Sequence, residues 1–320
     1  MTVSISEWAP IALFIYKRPD HARAAIKHLK ECEGFAESQC YVFADGAKHD
    51  RDAAGVREAR AVARAELGDR AVYVERDTNL GVADAIIAGV TEVCARHGRV
   101  IVVEDDLLVS PAFLRFLNQG LQRYEAEPGV MQVSGHMYEV PALRRHDEAI
   151  FLPVTTAWGW ATWQRAWDHF DPNAHGWREL LRDDRTRDRF DLGRRFPYSK
   201  MLAQQMTGAL QAWDIRWYYT VFAHGGLVLH PPRTLVLNVG LDGSGTHHRF
   251  ATRTRQATLD PVGAFSLPPA LTTSTDAEEV YDAIGRFRAS HLDRAAALWS
   301  VMVRRPRRAE WGMRGQKVLL

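Results

Sequence analysis

The sequence predicts an α/β fold in which a parallel sheet is flanked by helices. Four short apolar runs early in the chain have the composition of buried strands: 10–16, 39–44, 71–75 and 100–103. Three stretches with helical signals lie between them: about 21–32, 52–67 and 79–97. Because strands that alternate with helices pair in parallel through right-handed crossovers, these residues are expected to form a Rossmann-like half.

The elements after the fourth strand are predicted in a less regular order. A helix is expected over Pro111–Glu125, then a strand over Val130–Ser134. The charged stretch 177–195 contains no long apolar run, so it is expected to be an exposed helical excursion. Further elements are expected downstream: helices at 201–210 and 213–222, a short strand at 226–230, and a last helix from about 277 to 303.

The composition is that of a soluble globular protein, with 46% hydrophobic and 25% charged residues. A net charge of +2 makes no general case for nucleic acid as a partner. Cys32, Cys40 and Cys94 are too few and too scattered for a disulfide framework or a cysteine-based zinc site, which favours a cytoplasmic protein. The apolar run 9–16 is too short to span a bilayer and has no charged leader, so neither a membrane span nor a signal peptide is expected.

Three consecutive carboxylates, Glu104, Asp105 and Asp106, follow the fourth predicted strand. Ligands of open α/β sheets bind outside the carboxyl ends of the strands, so chemistry is expected here. Adjacent carboxylates repel one another unless a cation lies between them, which favours a divalent metal site. The alternative is structural: the acids end the strand, and Ser110 and Pro111 begin the next helix as N-cap and first residue. This stretch alone leaves both interpretations open.

Other strand ends carry residues suited to a nucleotide. Asp45 could accept a hydrogen bond from a base or a ribose hydroxyl, and the glycine after it permits close approach; a simple Asp-Gly turn is the alternative. Asn79 and Gly81 precede a helix, where they could contact a nucleotide or merely cap the helix. Lys17, after the first strand, could neutralise a phosphate or be a solvated surface residue.

Two downstream stretches offer further reactive groups. Residues 243–248 combine glycines with His247 and His248, and one imidazole could complete a metal site or bind a diphosphate oxygen; a polar surface loop is the alternative. Asp214 follows Trp213 at the start of a predicted helix, where the carboxylate could act as a general base or cap the helix.

Tryptophan is concentrated in one part of the chain, with five of the ten indoles between positions 158 and 177. Flat indole faces match the C–H groups of sugar rings, so this stretch could line a sugar pocket. The spacing of Trp160, Trp163 and Trp167 also suits a helix buried against the core. Most of these indoles are therefore expected in the core, and Trp158 is the better candidate for a pocket.

In this order the blocks resemble those of a glycosyltransferase of the GT-A fold, which is an α/β mixed sheet flanked by helices. The resemblance is greatest to the inverting, family-2-like sugar transferases of bacterial polysaccharide synthesis and to the N-acetylglucosaminyltransferase I group. It covers roughly residues 8–250 and is carried by these blocks: Pro10–Arg18, Asp45–Gly46, Asn79–Gly81, Val102–Phe113, Trp158–Trp163, Trp213–Asp214 and Asn238–His247. The acidic block departs from the common Asp-x-Asp by reading Glu-Asp-Asp, as in the N-acetylglucosaminyltransferase group.

The resemblance implies how a nucleoside-diphosphate sugar, expected to be a UDP-sugar, would bind. Asp45 would contact the base, while Glu104 and Asp105 would lie at the ribose and the sugar. Asp106 would bind the Mn²⁺ or Mg²⁺ that bridges the diphosphate, and His247 would assist metal or diphosphate binding. The predicted donor site is completed by Lys17, Asn79 and Gly81.

On the acceptor side, the resemblance implies that Asp214 deprotonates the hydroxyl of a glycan or lipid-linked acceptor, with inversion at the anomeric carbon. Trp158 and Trp213 are the candidate acceptor contacts. Two other functions stay open. One is a non-catalytic protein that binds glycans or sugar nucleotides, and the other is a sugar-nucleotide pyrophosphorylase, which would need a Gly-rich basic loop where this chain has 16–20.

The predicted domain organisation follows from the same resemblance. Residues 1–250 form the GT-A domain, with a nucleotide-binding half over 1–110 and an acceptor-binding half over 111–250. Residues 251–320 form a linker and a C-terminal helical extension. The protein is expected in the cytoplasm. Its basic end from Arg304 could place it peripheral to the inner membrane through anionic lipid headgroups, or could be solvated surface.

Overall fold

A computed structural model of the chain describes residues 5, 7–240, 258–261, 263–269, 271 and 273–287. The strands are β1 (Ile11–Ile15), β2 (Cys40–Ala44), β3 (Ala71–Glu75), β4 (Arg99–Glu104), β5 (Leu107–Val109), β6 (Val130–Ser134), β7 (Ile150–Leu152), β8 (Trp160–Trp163), β9 (Leu227–His230) and β10 (Val236–Asn238). The α-helices are α1 (Pro19–Lys30), α2 (Ala53–Leu67), α3 (Val82–His97), α4 (Phe113–Arg123), α5 (Gln164–Trp167), α6 (Trp177–Arg182), α7 (Asp184–Phe190), α8 (Tyr198–Met206) and α9 (Asp214–Ala223). Residues 277–287 are also helical.

Eight strands form one mixed sheet in the order β3-β2-β1-β4-β8-β6-β9-β7. The first four strands of the chain are parallel to one another, with β1 between β2 and β4. Strand β8 is antiparallel to both β4 and β6, which makes the sheet mixed. A second sheet pairs β5 with β10. The predicted α/β class, a mixed sheet flanked by helices with a Rossmann-like parallel half, is confirmed.

The tryptophan-rich stretch is a strand where the sequence spacing suggested a helix. Residues 160–163 form β8, which lies between β4 and β6, and only 164–167 are helical. The i, i+3, i+7 spacing of the tryptophans therefore does not reflect a helix. A central strand buried on both faces needs no alternation of polar and apolar residues, so no strand pattern was visible either. The expectation that most of these indoles are core is confirmed, because Trp160, Trp163 and Trp167 are at most 4% exposed.

The charged stretch 177–195 is helical as predicted, but it is not simply an exposed excursion. Trp177, Leu180 and Phe190 are buried in a second hydrophobic core beneath α6, α7, α8 and α9. Short amphipathic helices need only about one apolar residue per turn to pack, so no apolar run marks them in the sequence.

The C-terminal part of the chain packs back onto the rest of the molecule. The Ser110 hydroxyl donates to the backbone carbonyl of Asp260 at 2.6 Å, and the Tyr124 hydroxyl donates to that of Pro268 at 2.6 Å. The 277–287 helix adds Val280 and Ile284 to the second core. The division at residue 250 stays a prediction. Among the helices that the structure describes, none is long and apolar enough to cross a membrane.

A buried amide links β6 to α9 and to the segment before β8. Gln132 on β6 is fully buried, and its Nε2 donates to the Thr156 carbonyl at 2.8 Å. Its Oε1 accepts from Trp217 Nε1 on α9 at 2.6 Å. One side chain therefore positions both α9 and the segment that leads to Trp158.

Replacing Gln132 by Leu should lower the free energy of unfolding by about 1–3 kcal/mol, because a buried indole N–H and a buried carbonyl lose their partner. Urea denaturation measures the change. The matched control is Gln39→Leu at an exposed position, which should change the free energy by no more than about 0.5 kcal/mol. Equal effects of the two substitutions would show that the Gln132 bridge contributes nothing.

Candidate active site

A pocket and a larger cavity lie side by side at the carboxyl edge of the parallel strands. The small pocket has a volume of about 150 Å³ and the large cavity about 1020 Å³. The residues that line both are Lys48, Asn79, Gly81, Val82, Glu104 and Gln211. The two spaces therefore share a wall, and Glu104 at the end of β4 belongs to that wall.

The acidic triplet connects β4 to β5 and is held by a cation. The Arg18 guanidinium pairs with the Asp105 carboxylate and, at 2.9 Å, with Asp106 Oδ2. The backbone N–H of Tyr16 donates to Asp105 Oδ2 at 3.2 Å. Arg18 has no assigned role in the sequence analysis, although it lies in a matched block. The signal was the triplet itself, because neighbouring buried carboxylates require a compensating cation.

The electrostatics of the triplet follow from its burial. Loss of water raises the pKa of Glu104 well above its usual range, and the neighbouring carboxylates of Asp106 and Asp105 raise it further. Burial also raises the pKa of Asp105, against the lowering effect of Arg18. Burial opposes the charge of Arg18 in turn, but the attraction of the two aspartates leaves its pKa raised. The site thus attracts further positive charge.

Asp106, the predicted metal ligand, faces the chain after β10. The backbone N–H of Val239 donates to the Asp106 carbonyl at 2.8 Å. A Cβ atom at Gly240 would overlap the Asp106 carboxylate, so only glycine fits there as the chain now runs. His247, the second predicted ligand, lies outside the described residues. Within the described residues, Val239 and Gly240 are therefore the residues after β10 that contact Asp106.

A divalent cation fits this donor set in the way nucleotide sites usually hold one. Within 7–240 and the described C-terminal ranges, no three or more His, Cys, Asp or Glu side chains converge as a metal site. A cation that bridges phosphates needs only one or two protein carboxylates, since phosphate and water oxygens complete its shell. Asp105 and Asp106, whose charges already hold one cationic side chain, can provide those carboxylates.

Three predicted donor residues form one hydrogen-bonded unit at the small pocket. The Asp45 carboxylate accepts from the backbone N–H groups of Leu80 and Gly81 at 2.9 and 3.0 Å. Asn79 Nδ2 donates to the Gly46 carbonyl at 2.8 Å. A Cβ atom at Gly46 would meet the Thr78 backbone at 2.6 Å, so the close approach predicted there is to the chain itself. This unit fixes the chain at the N-terminus of α3, where Gly81 and Val82 line both the small pocket and the large cavity.

Two lysines lie near the carboxyl edge of the parallel strands, and they differ in their contacts and exposure. Lys17 lines the small pocket and pairs with the Asp52 carboxylate at 2.8 Å. Lys48 lines both spaces and is exposed, and the sequence analysis did not identify it. No motif surrounds Lys48, so only its position after β2 could have suggested it. Lys48 is the better placed of the two to meet an anionic ligand.

Asp214 lines the same large cavity as Glu104 of the triplet. It is the first residue of α9. Its charge contributes to the raised pKa of Glu104, after burial and the two neighbouring aspartates. The fold therefore brings the predicted base and Glu104 of the acidic triplet to the same cavity from positions far apart in the sequence.

The two predicted acceptor tryptophans differ in burial. Trp158 is half-buried and lines the large cavity, with its ring edge-on to that of His136 at 4.8 Å between centroids. Trp213 also lines the cavity, but it is 7% exposed and its ring lies 6.1 Å from that of Trp160 in the core. Trp158 offers the larger free face.

No protein-family model and no curated protein matches the sequence. Some solved structures are similar in part. The mannosyltransferase PcManGT from Pyrobaculum calidifontis, in complex with GDP-Man and Mn²⁺, is 15% identical, with a TM-score of 0.33 over 50% of this chain and 46% of its own. Glucosyl-3-phosphoglycerate synthase from Mycobacterium tuberculosis, in complex with Mn²⁺, UDP and glucosyl-3-phosphoglycerate, is 14% identical, with a TM-score of 0.32 over 51% and 58%.

The galactosyltransferase LgtC, in complex with donor and acceptor sugar analogs, is 12% identical, with a TM-score of 0.35 over 68% of this chain and 72% of its own. This chain spans less than two thirds of the length of the other two structures. Likenesses of this size assign no activity or substrate to the chain.

Replacing Arg18 by Ala should lower the free energy of unfolding by about 3 kcal/mol, because it leaves the buried Asp105 and the half-buried Asp106 without their cation. Urea denaturation in the presence of EDTA measures this. Arg23→Ala is the matched control, since Arg23 lies close by on α1 but forms an exposed pair with Asp20. The control should cost at most about 1 kcal/mol. A small and equal effect of both substitutions would contradict the role given to Arg18.

Proposed function

We propose that this protein is an inverting, metal-dependent glycosyltransferase of the GT-A fold. The observation that supports this most strongly is the position of the acidic triplet. Its first residue, Glu104, lies in the wall shared by a small pocket and a large cavity, Asp105 lines the small pocket, and Asp214 lines the large cavity. A transferase needs a donor site, an acceptor site and a base that meets the reacting atoms between them.

The small pocket would hold the base of a nucleoside-diphosphate sugar, with UDP as the expected nucleotide, and the rest of the donor would extend into the adjoining cavity. The base would lie against the unit formed by Asp45, Asn79 and Gly81, and Asp45 retains lone pairs for a base N–H. The diphosphate would extend toward Asp105 and Asp106, with Lys48 beside it. His247 would join this end of the site. These assignments follow the resemblance of the sequence to the inverting, family-2-like transferases.

The reaction would proceed by direct displacement at the anomeric carbon. Asp106, assisted by His247, would hold a Mn²⁺ or Mg²⁺ ion, and that ion would supply the positive charge that stabilises the leaving diphosphate. Asp214 would accept the proton of the acceptor hydroxyl as its oxygen bonds to the anomeric carbon and the bond to the diphosphate breaks. With the base and the leaving group on opposite sides of the anomeric carbon, such a displacement would invert its configuration. The acceptor would be a glycan or a lipid-linked sugar that enters from the large cavity.

Nucleotide binding provides the first test of this proposal. UDP or GDP with Mn²⁺ at about 100 times Kd should stabilise the protein by about 2.7 kcal/mol, and excess EDTA should remove most of that stabilisation. Gly240→Ala should weaken the Mn²⁺-dependent part, because the new methyl group displaces the Asp106 carboxylate. Gly129→Ala, where a methyl group meets open space, is the matched control. Absence of any nucleotide effect on the unaltered protein would refute the function.

Asp214→Asn should reduce sugar transfer by at least about a hundredfold, since the amide cannot take the acceptor proton. Nucleotide binding should survive, because Asp214 lies on the acceptor side. Transfer is measured as release of nucleoside diphosphate that depends on acceptor. Asp184→Asn, at the first residue of the exposed helix α7, is the matched control and should leave the rate unchanged. Full transfer by the Asp214 variant would rule out its role as base, and nucleotide binding without any transfer would favour a non-catalytic binding protein.

A further inference from the structure

The lining of the large cavity includes a cluster of four rings. His136, Tyr138, Phe287 and Trp158 form a closed cycle in which each ring is edge-on to the next. The centroid distances around this cycle run from 4.8 to 5.9 Å. His136 is buried at the base, whereas the other three rings are half-buried and line the cavity. We call these four residues the aromatic cluster.

The geometry of the aromatic cluster limits what it can bind. Rings whose centroids lie within 6 Å of one another are in contact, so no space remains among them for a caged cation. All four residues line the large cavity, and ligand cavities are typically lined by aromatic side chains with a few polar groups that fix the orientation of the ligand. Gln204 and Gln205 line the same cavity, and amide groups suit the hydroxyls of a sugar.

Phe287 is the ring of the aromatic cluster that comes from the 277–287 helix, and ion pairs anchor this helix to the rest of the molecule. Arg195 pairs with Asp282 at 3.1 Å and also with Glu278. The packing is close, since a Cβ atom at Gly285 would meet the Arg195 carbonyl at 2.9 Å. Phe287 therefore occupies a position set by the fold, although it lies outside every block that resembles the glycosyltransferases.

The size of the cavity argues for more than one sugar ring. Sites for small molecules measure about 300–1,000 Å³, and this cavity is at the upper end with 1020 Å³. Glu104 and Asp214 line the same space as the aromatic cluster. A ligand could therefore offer its reacting hydroxyl near Asp214 while a second ring packs on the aromatic surface.

We propose that the aromatic cluster is a second carbohydrate subsite, which binds the sugar ring next to the one that receives the transferred sugar. The acceptor is thus a saccharide of at least two rings, and Phe287 helps to select it. This inference rests on the proposed glycosyltransferase function. It adds Tyr138 and Phe287 to the acceptor site and assigns the C-terminal helix a part in substrate choice.

The test compares acceptors of different length in the full chain. Methyl glycosides of glucose, galactose and mannose, their disaccharide counterparts, and octyl glycosides of the same monosaccharides serve as probes. Phe287→Ala should raise the KM for disaccharide acceptors about tenfold and leave kcat and the KM for monosaccharides nearly unchanged. Phe287→Leu keeps apolar volume without an aromatic face, so it should raise the same KM even if the Ala variant fails to fold.

The matched control is Phe265→Ala, which removes an aromatic ring from the same C-terminal segment. Phe265 packs edge-on against Phe116 at 4.8 Å, on α4, and does not line the cavity. Its KM values should stay at those of the unaltered protein. Equal KM changes for monosaccharides and disaccharides, or an effect on octyl glycosides alone, would overturn the subsite. Direct binding of the disaccharides, measured by saturation-transfer NMR, should weaken in step with KM.

Failure of the subsite can be told apart from failure of the enzyme. If UDP or GDP with Mn²⁺ does not bind and no probe accepts a sugar, the proposed function is wrong and the subsite falls with it. If transfer occurs but Phe287→Leu behaves like Phe265→Ala, only the subsite is wrong. Nucleotide-induced stabilisation should be the same in all three variants.

Discussion

The ion pairs between Arg18 and the aspartates of the acidic triplet are the interaction on which the site depends. Three neighbouring carboxylates at the end of a buried strand repel one another and lose hydration, so the fold can place them there only with a cation in contact. Arg18 supplies it from the loop after β1, which is the neighbour of β4 in the sheet. The ion pairs therefore depend on the strand order, because β1 must lie beside β4 for Arg18 to reach the triplet. A donor diphosphate with its metal would enter a site whose charges are already arranged.

The cleft is assembled from parts of the chain that are far apart in sequence. The wall of the small pocket comes from the ends of β1, β2 and β4 and from the N-terminal part of α3, while α9 adds Asp214 to the lining of the large cavity. The 277–287 helix adds Phe287 to the same lining. The buried Gln132 links the strand that underlies this arrangement to α9 through Trp217. A change in packing between the two hydrophobic cores would therefore alter the distance between donor and acceptor groups, even with every reactive residue retained.

Much of the candidate site could be predicted because its residues follow strands. Asp45, Asn79 and the acidic triplet lie directly after apolar runs, and the carboxyl ends of parallel strands meet at one edge of a sheet. Their mutual contacts could not be predicted. The Asp45 carboxylate accepts hydrogen bonds from the backbone just after Asn79. It can hold the chain in place and still contact a ligand, so the structural and functional alternatives are compatible. The part played by Arg18 was missed. The acidic triplet indicates that a cation is needed, but the sequence does not show which basic residue lies next to it in space. His247 lies outside the described residues, and its role stays a proposal.

The sequence by itself determined the parallel half of the sheet, its crossover helices and the strand ends where carboxylates gather. These features depend on local periodicity and on the order of elements, both of which are written along the chain. Only the tertiary structure decided that Trp160–Trp163 is an antiparallel central strand, that Arg18 meets the acidic triplet, and that Asp214 and the aromatic cluster share one cavity. Each of these is a contact between residues distant in sequence. Packing and charge compensation select such contacts across the whole fold, and no local pattern encodes them.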